Sequence, residues 1–213
     1  MGKAKEIILR VIPAKIATPF IKTYHYSGKV VNNSSLHFGV FLDGMLHGVI
    51  SFGPSMVKRQ LIHLVEGTRW NEFLELNRLA FDDYLPRNSE SRALAICFRL
   101  LKKKAPHIKW VVSFADATRC GDGTIYRASG FLLTLIKKNT QLRVDPNTGE
   151  VVHKITAWNR CIAPKEYAKW NIVKGYQLRY IRLLKDGLRL TVPVIPFSKI
   201  KEVGAGMYKG VRR

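Results

Sequence analysis

The sequence predicts an α/β fold, in which a mixed central sheet has flanking helices and a basic, β-rich C-terminal extension. Three observations support this prediction. Two alternating apolar segments, SLHFGVFLDG and MLHGVISFG, meet at Asp43-Gly44, a dipeptide favoured in β-hairpin turns. The segment RALAICFRLLKKKAP has helical apolar spacing, with lysines in its last turn and a proline beyond. WVVSFAD (110–116) is a nearly continuous apolar run, typical of a strand buried on both faces.

The other elements are predicted from the same periodicities and from glycine and proline positions. In chain order they are a strand at 6–12, a helix after Pro13, a helix at 56–66, a strand at 73–81, a short helix ending at Gly130, a strand LLTLIKKN, a hairpin around 145–149, a helix PKEYAKW, and two strands, YQLRYIRLL and LRLTVPVIPF. The alternation of strands and helices in the centre favours parallel pairing. We expect residues 1–138 to form the catalytic core and residues 139–213 to complete the domain.

Charge is the unusual feature of the composition. The 213 residues contain 36 lysines and arginines against 15 acidic residues, a net +21, and 46% hydrophobic residues. This apolar content excludes a disordered basic tail, and no run of 18 apolar residues is present to cross a membrane. Such a charge favours a polyanionic partner, with nucleic acid ahead of an anionic membrane because no basic amphipathic helix emerges.

The positive charge is denser in the C-terminal part. Residues 131–213 hold 17 basic and five acidic residues, a net +12, against +9 in the preceding 130 residues. Aromatic residues are interleaved there, as a surface that stacks on bases requires, although each ring can equally belong to the core. They are Trp158, Tyr167, Trp170, Tyr176 and Tyr180. We therefore expect this part to grip nucleic acid.

The cysteines indicate the compartment. Cys97, Cys120 and Cys161 are odd in number and widely spaced, so they form neither a disulfide framework nor a CxxC zinc pair. The first residues carry charges within a short apolar run and do not resemble a secretory signal. We expect a reducing cytoplasm and no membrane attachment.

A polar loop, PRNSESR, precedes the central helix. It supplies five side chains beside backbone N–H groups that attract anions: Arg87, Asn88, Ser89, Ser91 and Arg92. This arrangement is a candidate phosphate cradle, although it contains no glycine and matches no nucleotide-binding motif. The alternative is an ordinary capped helix with Ser89 as its N-cap and Arg92 at the N3 position.

Further candidates lie near the ends of predicted strands, where open parallel sheets bind ligands. Ser113 and Asp116 end one strand, and Asp116 either handles the proton of an amine or only forms a turn. Tyr126, in the following short helix, either presents its hydroxyl or packs in the core. Glu75, Asn77 and Arg78 occupy one strand, so Glu75 and Asn77 should share a face, with Glu75 as a base or an edge charge.

Histidines and neighbouring rings are the remaining candidates. Tyr24, His25 and Tyr26 are consecutive, so they cannot all be core residues and at least one should face a cleft or solvent. His25 is a metal-ligand candidate that rests on a single histidine. His37 and His47 flank the hairpin turn and can oppose each other across the strands, as a surface pair or a metal pair.

The run from ELNRLAFDDYLPRNSESR through WVVSFADATRCGDGTIYRASGF, together with YHYSGKVVNNSSLHFGVF, resembles the Mom proteins of bacteriophages over roughly residues 20–135. The resemblance implies a GNAT-like fold, that of acyl-CoA-dependent N-acetyltransferases. In that fold the loop before the central helix holds the cofactor pyrophosphate. Here that loop departs from the usual Arg/Gln-x-x-Gly-x-Gly/Ala pattern, which places ordinary acetyl-CoA use in doubt.

The resemblance also implies a function. Mom-like proteins place a carbamoylmethyl, glycinamide-like group on adenine N6 in phage DNA and so shield it from host restriction. On this interpretation Arg87, Asn88, Ser89, Ser91 and Arg92 bind an acyl-CoA-like donor. The catalytic candidates are Asp116, Tyr126, Ser113 and Glu75. The candidates for binding a flipped adenine of double-stranded DNA are Tyr24, His25, Tyr26, Asn77 and Arg78. The transferred group's donor and a role for a metal such as iron stay open.

Three other functions are alternatives. A SAM-dependent adenine methyltransferase would carry an Asp/Asn-Pro-Pro-aromatic tetrad, which the segment Asp83-Tyr84-Leu85-Pro86 fails to match. A GNAT-type acyltransferase acting on another amine would not need so much positive charge. A non-enzymatic basic DNA-binding protein would leave the polar groups at the strand ends unexplained.

Overall fold

The computed structural model describes residues 3–118, 121–173 and 175–206, so Cys120 lies outside the described residues. Its strands are β1 (Ile8–Val11), β2 (Leu36–Leu42), β3 (Met45–Gly53), β4 (Phe73–Phe81), β5 (Trp110–Asp116), β6 (Leu132–Asn139), β7 (Leu142–Val144), β8 (Val151–His153), β9 (Asn171–Ile172) and β10 (Gly175–Leu183). Its helices are α1 (Ala14–Tyr24), α2 (Lys58–Leu61), α3 (Ser89–Lys104), α4 (Thr124–Ala128), α5 (Lys154–Asn159), α6 (Pro164–Lys169) and α7 (Ser198–Glu202), with 3₁₀ turns at Lys3–Glu6 and Ile62–Leu64.

A large mixed sheet organises these elements. Its strand order is β1-β2-β3-β4-β5-β10-β6, and β8-β7-β9 form a separate small sheet. Strands β1 to β4 pair antiparallel in succession, whereas β4 and β5 pair in parallel. The parallel pairing predicted for the centre is therefore confirmed.

The β2–β3 hairpin turns where the sequence indicates. Asp43 has a φ of 51° and Gly44 a φ of 81°, and two positive φ values in succession suit the right-handed twist of the flanking strands. Gly130, with a φ of 71°, likewise ends the α4 segment as predicted.

The chain divides into two compact units. The first contains residues up to Phe114, Thr124–Thr134 and Arg179–Ile195, and the second contains Ala115–Gly123, Leu135–Leu178 and the residues from Pro196 onward. Each unit is thus assembled from segments that are distant in the sequence.

The core of the first unit is centred on Trp110. Its ring is fully buried and lies parallel to Phe73, with 4.2 Å between ring centroids, and its Nε1 donates to Thr68 Oγ1 at 3.0 Å. The buried apolar side chains around it come from the α2 region and from β5 and β10: Leu61, Leu64, Val65, Val112 and Ile181. Each such side chain contributes roughly 1.5–3 kcal/mol of transfer free energy. This core holds β4 and β5 in place, and the candidate site is built on these strands.

The second unit has a smaller core of Val152, Ala157, Tyr167 and Trp170. The Tyr167 hydroxyl lies 2.7 Å from the carbonyl of Gln141 and 3.0 Å from that of Val152, so its polar end is satisfied. Within the described part of the chain, no helix is long and apolar enough to cross a membrane.

Three local predictions are wrong. LRLTVPVIPF is not a strand, because Pro193 and Pro196 lack the N–H that a ladder needs. It forms an isolated bridge between Leu190 and Val65 and a backbone hydrogen bond from Ile195 to Leu133 of β6. The predicted helix at 56–66 is reduced to α2 and the 3₁₀ turn after it. The N-cap of α3 is Asn88, not Ser89, because Asn88 has the left-handed φ of 68° and the helix begins at Ser89.

Candidate active site

Strands β4 and β5 separate partway along their length. They pair from Phe73–Trp110 to Leu76–Ser113, while β4 continues alone along this side to Phe81. At the point of separation β4 carries a bulge, since Leu76 pairs with Phe52 and Arg78 with Ser51, which leaves Asn77 without a partner on β3. The separation leaves polar groups of β4 and β5 available to a ligand.

The bulge brings Arg78 to the face of Glu75. The inserted residue shifts the alternation of side chains by one, so Arg78 lies on the side of Glu75, with which it interacts electrostatically. Asn77 is buried, and its Nδ2 donates to Ser34 Oγ at 3.0 Å. Its Oδ1 is buried and has no hydrogen-bond partner among the described residues, so this oxygen can accept a hydrogen bond from a ligand.

Arg78 is the electrostatic centre of the site. Glu75, Tyr26, Tyr126 and His25 lie within electrostatic range of its guanidinium. Its Nε donates to the carbonyl of Lys29 at 2.8 Å and its Nη1 to that of Asn77 at 2.7 Å, which fixes the side chain. The sequence candidates Glu75, Arg78, Tyr126, Tyr26 and His25 therefore gather around one cation in the first unit.

Glu75 is a partly buried carboxylate in this cluster. Burial raises its pKa above the usual range, against the opposing effects of a hydrogen bond from the Ser55 hydroxyl and the nearby Arg78 charge. A carboxylate with a raised pKa is a stronger base than an exposed one, which suits proton removal near neutral pH. Ser55 was not predicted from the sequence, because nothing about a serine two residues after a strand indicates which residue it will contact.

Ser113 and Tyr126 form a second pair at the separation of the strands. The Ser113 hydroxyl is buried and lies 3.0 Å from the Tyr126 hydroxyl and 3.3 Å from the carbonyl of Leu76. The ring of Tyr126 stacks on Tyr180 at 4.8 Å and meets Phe131 edge-on at 5.3 Å. These rings hold the Tyr126 hydroxyl beside the end of the β4–β5 pairing.

Tyr24, His25 and Tyr26 lie where α1 ends. His25 Nδ1 accepts from the backbone N–H of Ser27 at 3.2 Å, and burial, reinforced by the Arg78 charge, lowers its pKa to about 4. His25 is therefore neutral at pH 7, and its Nε2 carries the ring proton. Tyr26, whose ring lies 4.3 Å from that of His25, and Tyr24 are exposed, as expected for residues that cannot all be core.

The N-terminus of α3 forms a separate polar surface of the first unit. Asn88 makes no side-chain cap hydrogen bond, Ser89 Oγ donates to the carbonyl of Pro86 at 2.6 Å, and Ser91 Oγ donates to that of Asn88 at 3.1 Å. Arg92 Nη2 donates to the carbonyl of Lys5 at 3.3 Å, while its Nε is buried without a partner among the described residues. Arg87 is exposed. The uncapped backbone N–H groups, Arg87 and the unsatisfied Arg92 Nε together fit an anion such as a diphosphate.

The family model of the Mom protein family matches residues 6–199 of the chain. The chain belongs to the Mom protein family. A relative named methylcarbamoylase mom, from Escherichia phage Mu, is 37% identical in an alignment of 194 positions that covers 87% of this chain and 79% of the phage Mu protein. The predicted family resemblance is thus confirmed, and it extends well beyond residue 135.

Solved structures place this Mom-family chain in the GNAT-like fold. A putative phosphinothricin N-acetyltransferase aligns with a TM-score of 0.52 at 10% identity, covering 84% of this chain and 99% of the other. A Bacillus subtilis acetyltransferase in complex with CoA aligns at 0.51 and 10% identity, with the same coverage. A spermidine/spermine N-acetyltransferase from Vibrio cholerae aligns at 0.51 and 8% identity, covering 86% and 95%. At these identities the likeness concerns the fold alone, which is the predicted one.

Asp116 and the two histidines of the hairpin each have other partners in this Mom-family chain. Asp116 belongs to the second unit, where its Oδ1 accepts from the N–H of Thr118 at 2.9 Å in a turn. His37 pairs with Ser51 rather than with His47, and its Nδ1 lies 2.8 Å from Ser51 Oγ. His47 Nδ1 instead lies 2.8 Å from Asp82 Oδ2. The histidines flanking the hairpin therefore do not oppose each other.

The described residues contain no cluster of the side chains that usually bind a metal ion. Among residues 3–118, 121–173 and 175–206, no three histidines, cysteines or acidic residues cluster as ligands. His25 Nδ1 accepts from the backbone N–H of Ser27, so this nitrogen is already occupied.

Proposed function

We propose that this chain transfers a carbamoylmethyl group to the N6 amine of adenine in phage DNA, within the cytoplasm of the host cell. Two facts support the proposal together: the 37% identity to a protein named methylcarbamoylase, and the cluster of Glu75, Arg78 and Tyr126 where β4 and β5 separate. The cluster carries the proposal, because it places a base and hydrogen-bonding rings beside an opening in the sheet.

The chemistry assigns roles to these residues. Transfer forms a bond from N6 to the methylene carbon of the incoming group. It breaks one N6–H bond and the bond between that carbon and the rest of the donor, which leaves with the electron pair. Adenine N6 is a poor nucleophile because its lone pair is delocalised, so the enzyme must position the amine and accept the proton. Glu75 is suited to accept it because burial raises the pKa of its carboxyl. Asn77 Oδ1, the buried acceptor without a partner, is suited to bind an amide or amine N–H of the substrates.

An acyl-CoA-like donor fits the N-terminus of α3 in part. Acyl transfer from the thioester carbonyl of such a donor would leave an amide on N6, so the carbamoylmethyl product requires that N6 bond to the methylene carbon of the incoming group instead. Arg87, Arg92 and the uncapped N–H groups of the helix would hold the diphosphate of the donor. Support also comes from the CoA complex of the Bacillus subtilis acetyltransferase. The absence of glycine between Pro86 and Arg92 distinguishes this loop from the usual acetyltransferase pattern.

The decisive experiment is mass spectrometry of nucleosides from plasmid DNA of cells that express the protein. We expect deoxyadenosine bearing a carbamoylmethyl group on N6. A methyl or acetyl adduct would replace the proposed reaction with another one. Unmodified DNA together with binding of CoA would favour the alternative of an acyltransferase acting on another amine. Unmodified DNA with DNA binding alone would favour a basic DNA-binding protein.

Double-stranded DNA is the proposed partner, and the second unit offers a surface for it. Of the five aromatic residues that the sequence singled out, Trp158 is exposed at 77%, whereas Tyr167, Trp170 and Tyr180 are buried and Tyr176 donates to the carbonyl of Val203. Lys154 and Ile155 are exposed on the same short helix, one turn before Trp158. A flat ring beside a cation suits contact with the bases and phosphates of DNA.

Three exposed lysines of the second unit, Lys137, Lys138 and Lys154, should contribute to the salt dependence of DNA binding. Changing Lys137, Lys138 and Lys154 to glutamine should lower the slope of log affinity against log salt by up to about three, because each phosphate contact releases about one counterion. The same triple change at Lys102, Lys103 and Lys104 of α3 is the matched control. Fluorescence anisotropy with labelled duplex DNA at several salt concentrations measures the slope. An equal loss in both triple variants would place the DNA-binding surface elsewhere.

Asp116 is tested by its amide variant. Asp116→Asn keeps an oxygen that can accept from Thr118, so the turn and the melting temperature should persist. If the carboxylate handles a proton of the substrate, the adduct should fall by about 10²-fold. Asp186→Asn, at an exposed turn, is the control. A normal adduct level in Asp116→Asn would limit this residue to its turn.

A further inference from the structure

The loop between β3 and α2 connects the candidate site to an exposed apolar side chain. Gly53, the last residue of β3, pairs with Glu75 of the site. Two residues later, Ser55 is buried and its hydroxyl donates to the Glu75 carboxylate. The next residue is Met56, which is 80% exposed. Met56 therefore lies one residue beyond a side chain that contacts the proposed base.

The loop between β3 and α2 is held by one hydrogen bond from outside it and one within it. The carbonyl of Pro54 accepts from Asn33 Nδ2, and Ser55 Oγ accepts from the N–H of Val57 at 3.3 Å. A Cβ at Gly53 would overlap the carbonyl of Asn33, so glycine permits this close approach. Met56 is consequently presented by a fixed loop rather than by a free one, and its exposure does not result from a loose chain.

The exposed side chains around Met56 are apolar, and positively charged side chains flank them. Val57 is exposed next to it, and Trp70 is exposed on the loop that leads into β4. The two loops are joined through Lys58, whose Nζ lies 4.9 Å from the Trp70 ring centre and 3.4 Å from Asn71 Oδ1. Arg59 and Arg69 are exposed beside them. An apolar tip flanked by cations is complementary to a base stack flanked by phosphates.

We infer that Met56 enters the base stack of duplex DNA and takes the place of the adenine that moves into the site. This inference rests on the proposed function. An adenine inside a duplex cannot reach Glu75, so it must leave the stack at a free-energy cost that an inserted apolar side chain offsets. Methionine suits this role because its unbranched, polarisable chain adapts to the irregular gap between bases. Arg59 and Arg69 hold the flanking phosphates.

The test uses duplexes in which 2-aminopurine replaces the target adenine, in the sequence context that is modified most in cells. Its fluorescence rises when the base leaves the stack. Wild-type protein and Met56→Leu should raise the fluorescence, whereas Met56→Ala should lose most of the rise. The adduct in cellular DNA should fall about tenfold in Met56→Ala. Met45→Ala is the matched control, because Met45 is 66% exposed and lies at the other end of β3.

A second substrate separates insertion from a general loss of binding. When the target adenine lies opposite an abasic site it is already unpaired, so Met56→Ala and wild type should bind that duplex within about twofold of each other. A full fluorescence rise with Met56→Ala, or an equal loss of affinity for both duplexes, would overturn the inference and leave the proposed function standing. If wild-type protein produces neither adduct nor fluorescence rise, the proposed function and this inference are both wrong.

Discussion

DNA from cells that express the Glu75→Gln variant should contain about 10²–10⁴-fold less modified adenine than DNA from cells with the wild-type protein. Glutamine preserves the size of the side chain and can still accept from Ser55, but it cannot take a proton from adenine N6. Nucleoside mass spectrometry measures the loss, and Glu66→Gln, at an exposed glutamate of the same unit, is the control. Normal adduct levels in Glu75→Gln would exclude this residue as the base.

The melting temperature of the same variant should rise relative to that of the wild-type protein as the pH rises. Burial raises the pKa of Glu75 in the folded protein, so the folded state binds this proton more readily than the unfolded chain does. Stability from this group is therefore present at low pH and is lost as the pH rises through the folded pKa. Glutamine has no such loss. The melting temperature of Glu75→Gln relative to wild type should consequently be higher at pH 8 than at pH 5.

Replacing Arg78 with methionine should lower the adduct by about 10²-fold and raise two pKa values. The positive charge of Arg78 lowers the pKa of Glu75 and also that of His25, so both should rise when the charge is removed. NMR titration of ¹³C-labelled glutamate and of histidine ring nitrogens measures the two shifts. The expected activity loss is of the size found when one preorganised donor is removed from an active site.

Arg78→Lys distinguishes the charge from the geometry of this residue. Lysine retains the positive charge, so the pKa values of Glu75 and His25 should stay close to those of wild type. It cannot reproduce the paired donation of Nε to Lys29 and of Nη1 to Asn77, so the adduct should still decrease. Arg99→Met, on the exposed side of α3, controls for the loss of one positive charge. Unchanged pKa values in Arg78→Met would remove Arg78 from the centre of the site.

Local sequence signals predicted the elements whose cause is local. The Asp43-Gly44 turn, the spacing of α3 and the apolar run of β5 each depend on neighbouring residues, and the structure contains all three. The bulge at Asn77 was not predictable, because the inserted residue is defined only by the pairing of β4 with β3. For this reason the sequence did not place Arg78 on the face of Glu75.

The candidate site was predictable as a set of residues but not as an arrangement. The family resemblance and the strand ends indicated Glu75, Arg78, Tyr126 and His25, and the structure brings these four together. Ser55 and Met56 escaped notice because their roles follow from the contact of one loop with Glu75, which lies 20 residues further along the chain. A serine and a methionine after a strand are otherwise unremarkable.

The interleaving of the two units has a consequence for synthesis on the ribosome. The first unit contains Glu75 and Arg78 but also Arg179–Ile195, and within that segment Tyr180 supports the ring of Tyr126. The arrangement around Tyr126 therefore cannot be completed until Tyr180 has left the exit tunnel. A chain released before residue 179 should be unable to modify DNA. Nucleoside mass spectrometry of DNA from cells that express such a truncated chain can test this expectation.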